Sequence, residues 1–148
     1  MKRSHFFIGL TVLAILTSFW VAIIVSDFFL DNEALTMVRR GIVYALAVLI
    51  PSMIAVKITG VKLGKSRIET DPRIQAKKKR ATLMAVNGAL IMVPAAFFLN
   101  YKASAGEFDQ WFQIVQAIEL IVGSSQYFFV LKNFMVGVNM RKERLAQA

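Results

Sequence analysis

Residues 6–26 run for 21 positions without a charged side chain and are rich in Phe, Leu, Ile and Val. At about 1.5 Å per residue, some 20 apolar residues in a helix span the roughly 30 Å hydrocarbon core of a bilayer. Water offers such a segment nowhere to hide in a chain of 148 residues. Lipid admits it only as a helix, whose backbone polar groups are all satisfied within the segment. A secretory signal peptide, with Lys2 and Arg3 as its basic lead, is the rival reading. It fits poorly, because bulky Phe19 and Trp20 stand where small residues should precede a cut.

Three more segments repeat the pattern, at about 41–59, 81–100 and 111–131. The whole chain is 57% hydrophobic, with mean hydropathy +0.57, too apolar for an ordinary soluble domain of this size. The expectation is one all-α domain over 1–148, a four-helix transmembrane bundle. Asp31 reads as the N-cap of the second helix, Asp71-Pro72 as a cap followed by proline at the first position, and Asp109 as the cap of the fourth. Pro51 and Pro94 each remove a backbone donor and predict kinks, with Ser52 placed to bond a freed carbonyl.

Charge sets the topology. Of 18 basic residues, 13 lie in the N-terminal lead, the connection 60–80 and the tail 139–148. The positive-inside rule therefore predicts that both termini are cytoplasmic. The connection holds Lys62, Lys65, Arg67, Arg73, Lys77, Lys78, Lys79 and Arg80 against only Glu69 and Asp71. Basic residues near a membrane surface attract anionic headgroups, at about 1 kcal/mol each. Nucleic acid is not an expected partner, since no aromatic residue interleaves the run. Arg39 and Arg40 fall on the opposite side, as headgroup anchors or as partners for an acid.

The fourth segment carries an unusual row. Positions 116, 119, 123, 126, 130 and 133 share one side of a helix, and they read Gln116, Glu119, Gly123, Gln126, Val130 and Asn133. An ionised acid at the centre of a lipid-facing helix costs about 2.5 kcal/mol or more, so this row must face protein or water. Counted from the helix start, Glu119 falls near mid-membrane, as an acid with no second buried charge beside it. Tyr44, Thr17 and Ser18 are the groups that depth brings near it. Two roles stay open for Glu119: an acid that locks the fourth helix to its neighbours, or one that handles protons or cations in a pathway. On the third segment Ala81, Ala85 and Ala89 recur every fourth residue, with Asn87 and Gly88 beside them. Small residues at that spacing admit another helix closely, within the bundle or from a partner.

The residues Asn87-Gly88, Pro94, Gly106-Glu107-Phe108-Asp109, Val115-Gln116, Glu119, Gly123 and Asn139-Met140-Arg141 resemble a group of small, uncharacterised four-span proteins of proteobacterial inner membranes. The likeness covers about the C-terminal half. It implies a multi-pass protein of the bacterial inner membrane and brings no activity with it.

Enzymatic signatures are lacking. There is no cysteine and His5 is the single histidine, so the chain offers no thiolate site, bis-histidine haem or histidine-based triad. No phosphate loop, nucleophile elbow or zinc-binding helix is present. No metal or cofactor is expected. The function expected is that of a non-catalytic accessory or assembly subunit of a larger membrane complex. It would contact other integral subunits, or itself, through the alanine ridge and the polar row. The alternative is a small oligomeric transporter or channel that uses Glu119. A subunit of a membrane enzyme whose cofactor ligands lie on another chain is a third class.

Overall fold

The computed structural model describes residues 2–65 and 71–147, and among them every regular element is helical. Helix α1 spans Lys2–Phe29 and α2 spans Asn32–Gly64. The third rod is built from α3 (Pro72–Asn87), a π-helical turn (Gly88–Met92) and α4 (Val93–Ser104). Helix α5 spans Gln110–Ala146. All four rods are long and apolar enough to cross a membrane. Their outer surfaces carry large apolar side chains such as Phe7, Leu90 and Ile121.

Aspartates start three of the rods. The side chains of Asp31, Asp71 and Asp109 accept from the backbone N–H groups of Ala34, Arg73 and Phe112, each satisfying a donor that a helix start leaves unpaired. Between α4 and α5 the chain turns through Gly106, whose φ of +71° suits glycine. Lys102 Nζ closes this turn with bonds to Glu107 Oε2 (2.7 Å) and Asp109 Oδ2 (2.8 Å).

The rods form a ring: α1 packs on α2 and α5, and the third rod packs on the same two. Helix α2 meets the third rod chiefly through α4 and barely touches α3. The bundle is therefore closed where the short connections lie, and α2 and α3 splay apart at the other end, which carries the basic residues. Buried residues recur every seven positions along α2 (Leu35, Ile42, Leu49) and α5 (Phe112, Glu119, Gln126, Asn133, Met140). That interval is the seam of left-handed helix packing. Two apolar layers form at the closed end. One gathers Leu35, Leu99, Ala103 and Phe112, and the next gathers Ile23, Ile42 and Ala96.

Several expectations need correction. Helix α3 begins at Pro72, as the Asp71-Pro72 cap predicts, but α2 continues to Gly64, beyond the expected end of the second span at 59. Helix α5 runs to Ala146, so residues 139–146 of the expected tail are helical. Ser52 Oγ donates to Val48 O (2.7 Å), the carbonyl one turn behind it, and not to the Ala47 carbonyl that Pro51 frees. In the third rod a π turn precedes Pro94, and Val93 N–H donates five residues back to Gly88 O. The wider turn accommodates the missing proline donor and rotates the residues beyond it.

Candidate functional site

Seven residues into α2, Arg39 points inward, with only 1% of its surface exposed. Its neighbours on the heptad seam explain this: it lies one turn after Leu35 and just before Ile42, on the buried side of the helix. Arg40, one residue on, faces out. The guanidinium meets two acids from two other helices. Arg39 Nη1 donates to Glu119 Oε2 of α5. Arg39 Nη2 donates to Asp27 of α1, at 3.3 Å to Oδ1 and 3.4 Å to Oδ2. Glu119 is 3% exposed, and the Asp27 side chain 1%. Arg39 Nε is buried without a partner among the described residues. The triad joins three rods between the two apolar layers, so water is largely excluded from it. There the attraction between the charges is strong, and so is the cost of leaving any of them unpaired.

Glu119 is therefore not a solitary acid. Arg39, expected on the outward side as a headgroup anchor or as a partner for an acid, takes the second of these roles, with Asp27 as a further partner. Tyr44, Thr17 and Ser18, the neighbours expected from depth, are elsewhere. Tyr44 is 72% exposed. Thr17 Oγ1 donates to Tyr127 Oη (3.2 Å), and Tyr127 stacks on Trp20. Ser18 is exposed and bonds Ala14 O. The triad lies nearer to one end of each of its helices than to the middle. Asp27 is two residues from the end of α1, and Glu119 is nine residues into a helix of 37.

The rest of the α5 row turns toward the third rod. Gln126 Nε2 donates to Met84 O (2.7 Å), beside Gly88, where a Cβ would come within 3.2 Å of that nitrogen. Gly123 makes room for Met92 in the same way. Asn133 Oδ1 accepts from Arg80 Nε (2.8 Å) and its Nδ2 donates to Lys77 O (3.3 Å). Gln116 is half-buried. The row is thus covered by the chain's own helices and is not a free contact face. On the third rod, Ala81, Ala85 and Asn87 are half-buried and Ala89 is exposed. The closely packed small residues are Gly88 and, beyond the π turn, Ala95, Ala96 and Ala103. Gly88 belongs to the expected face, whereas a ridge counted at regular helical spacing misses the three alanines, because the π turn shifts the phase.

Of the basic residues, Lys62, Lys65, Arg73, Lys78 and Lys79 are exposed, whereas Lys77 and Arg80 are half-buried against α5. Arg73 pairs with Asp71 and, at 2.9 and 3.0 Å, with both carboxylate oxygens of Glu143. Arg67 lies outside the described residues. Among those described, no cluster of three His, Asp or Glu side chains could hold a metal ion. Compared with protein-family models, with curated proteins and with solved structures, the chain matches none.

Proposed function

We propose that this protein is a non-catalytic accessory or assembly subunit of a larger membrane complex, residing in the bacterial inner membrane with both termini in the cytoplasm. One observation carries the reading: Glu119, the acid on which a transport role would rest, is held by Arg39 inside the bundle. Ion pairing of this kind fixes the mutual register of α1, α2 and α5, which is work for a scaffold. Ala89 stays on the surface among Val86, Leu90 and Leu83, all exposed and apolar, and offers a partner helix a close approach. The orientation follows from the 13 basic residues of the N-terminal lead, the connection 60–80 and the segment 139–148, where they would also meet anionic headgroups. Extraction in mild detergent followed by native mass analysis tests the reading. A complex larger than the chain is expected, and a stable lone monomer counts against it.

A specific observation keeps a second reading alive. Two carboxylates face one guanidinium, so the triad carries one negative charge when all three groups are ionised. A proton or small cation would balance it, as a transporter or channel built around Glu119 requires. Under that reading Glu119→Gln abolishes pH-dependent flux in proteoliposomes and leaves assembly intact.

A further inference from the structure

At the splayed end the bundle turns cations inward. Lys77 and Arg80 lie one turn apart on α3, both half-buried against α5, so they are neighbours of like charge. Asn133 holds them from across the interface, taking a bond from Arg80 Nε and giving one to the backbone of Lys77. Gly137, one turn further along α5, lets Lys77 Nζ come close, since a Cβ there would stand 3.1 Å from that nitrogen. His5 of α1 is within electrostatic reach of Lys77, with its Nδ1 tied to Thr59 Oγ1 of α2 (2.7 Å). Among the described residues neither Lys77 nor Arg80 enters an ion pair, while nearby Arg73 takes up both Asp71 and Glu143. Both side chains are half-buried, so each keeps part of its surface exposed. Two cations directed toward α5, paired with no acid among the described residues and beside a glycine that admits one of them, form a seat suited to an anion.

We propose that Lys77 and Arg80, braced by Asn133 and Gly137 at the mouth between α3 and α5, bind a single phosphate group, carried by a phospholipid headgroup or free in solution. The inference rests on the membrane reading above and narrows it. Lys62, Lys65, Lys78 and Lys79 attract anionic surfaces diffusely, whereas Lys77 and Arg80 hold one phosphate in a fixed place. An ammonium and a guanidinium at adjacent turns can share the oxygens of one phosphate, the guanidinium by paired donation.

The test uses the full chain in nanodiscs of phosphatidylcholine, with and without phosphatidylglycerol, and counts retained lipid by native mass spectrometry. One phosphatidylglycerol should stay bound to the unaltered chain. The pair Lys77→Gln/Arg80→Gln should weaken its retention about tenfold or more, and the pair Lys78→Gln/Lys79→Gln, of identical charge change, less than about twofold. Gly137→Ala changes no charge but crowds Lys77 Nζ, and should also weaken retention. It serves where the double variant fails to fold. Inorganic phosphate competing in the same assay separates the sources: displacement of the lipid assigns the seat to free phosphate as well, and no displacement assigns it to the headgroup. Equal losses from the two lysine-bearing pairs, with Gly137→Ala silent, overturn the proposal in favour of diffuse attraction. Equal retention of both lipids by the unaltered chain overturns it too. A chain that does not insert into the bilayer at all overturns the membrane reading instead.

Discussion

Arg39 has two acids to satisfy, and this asymmetry decides how substitutions in the triad should rank. Arg39→Leu strands Asp27 and Glu119 together, two buried carboxylates facing each other without a cation. Breaking a buried ion pair by removing one partner costs about 3–5 kcal/mol, and here both acids lose theirs. Glu119→Gln is milder, because Asp27 still neutralises Arg39 and the amide oxygen can accept from Nη1. Reversible unfolding in detergent should therefore order the variants with Arg39→Leu least stable and Glu119→Gln close to the unaltered protein. Adding Glu119→Leu to Arg39→Leu should recover part of the loss, because it removes one of the two stranded acids. Additive losses in that double variant would mean that the two side chains act independently, and the triad would not be the lock described above.

The elements divide into those whose ends are governed by one residue and those governed by neighbours. The turn from α4 to α5 belongs to the first kind. Lys102 beside Asp109, aided by the Phe112 N–H, holds the Asp109 carboxyl below its ordinary value of 3.8. A depressed folded value means that the contribution is fully present above the unfolded value, near 4, and is lost as the pH falls through the folded one. Acidification from about pH 5 to pH 3 should lower the thermal midpoint, and Asp109→Asn should remove that part of the dependence. The α3–α5 contact belongs to the second kind. Gln126→Leu deletes the donor to Met84 O, and hydrogen bonds between membrane helices average about 0.6 kcal/mol and reach about 1.7. A loss in that range is expected for Gln126→Leu in the same unfolding assay, and no loss would mean that the bond is not formed. The same division explains what was legible in the sequence. The starts at Asp31, Asp71 and Asp109 could be read because a cap acts over three residues. The inward turn of the α5 row could be read because lipid forbids the alternative. That the acid partnering Arg39 is Glu119, with Asp27 beside it, was missed because depth was counted from apolar runs, which stop at the first charge, whereas the rods continue beyond it. The seam Leu35, Ile42, Leu49 was the available signal, since Arg39 falls on its buried side and Arg40 does not. The π turn before Pro94 left no signature that a regular spacing could detect.

At the scale of the whole molecule, the asymmetry between the two ends is the feature that a membrane would read. The closed end pairs two of its three basic residues with acids: Arg39 with Asp27 and Glu119, Lys102 with Glu107 and Asp109. Arg40 is left there as an exposed cation to oppose translocation. The splayed end keeps Lys62, Lys65, Lys78 and Lys79 exposed, along with the basic residues at the end of α5. Uncompensated lysine and arginine close to helix ends retain a loop on the cytoplasmic side, whereas acidic residues contribute little to the choice. The splayed end should therefore stay inside and the closed end should cross. Because the chain has no cysteine, single cysteines report each side without background. Ser104 and Gln147 are exposed at opposite ends of the bundle. In intact spheroplasts an impermeant maleimide should label Ser104→Cys and spare Gln147→Cys, which should react only after permeabilisation. The reverse pattern would place the basic end outside. The arrangement of α1, α2, the third rod and α5 would stand, but the phosphate seat at Lys77 and Arg80 would then face the outer leaflet, where its headgroup would have to be sought.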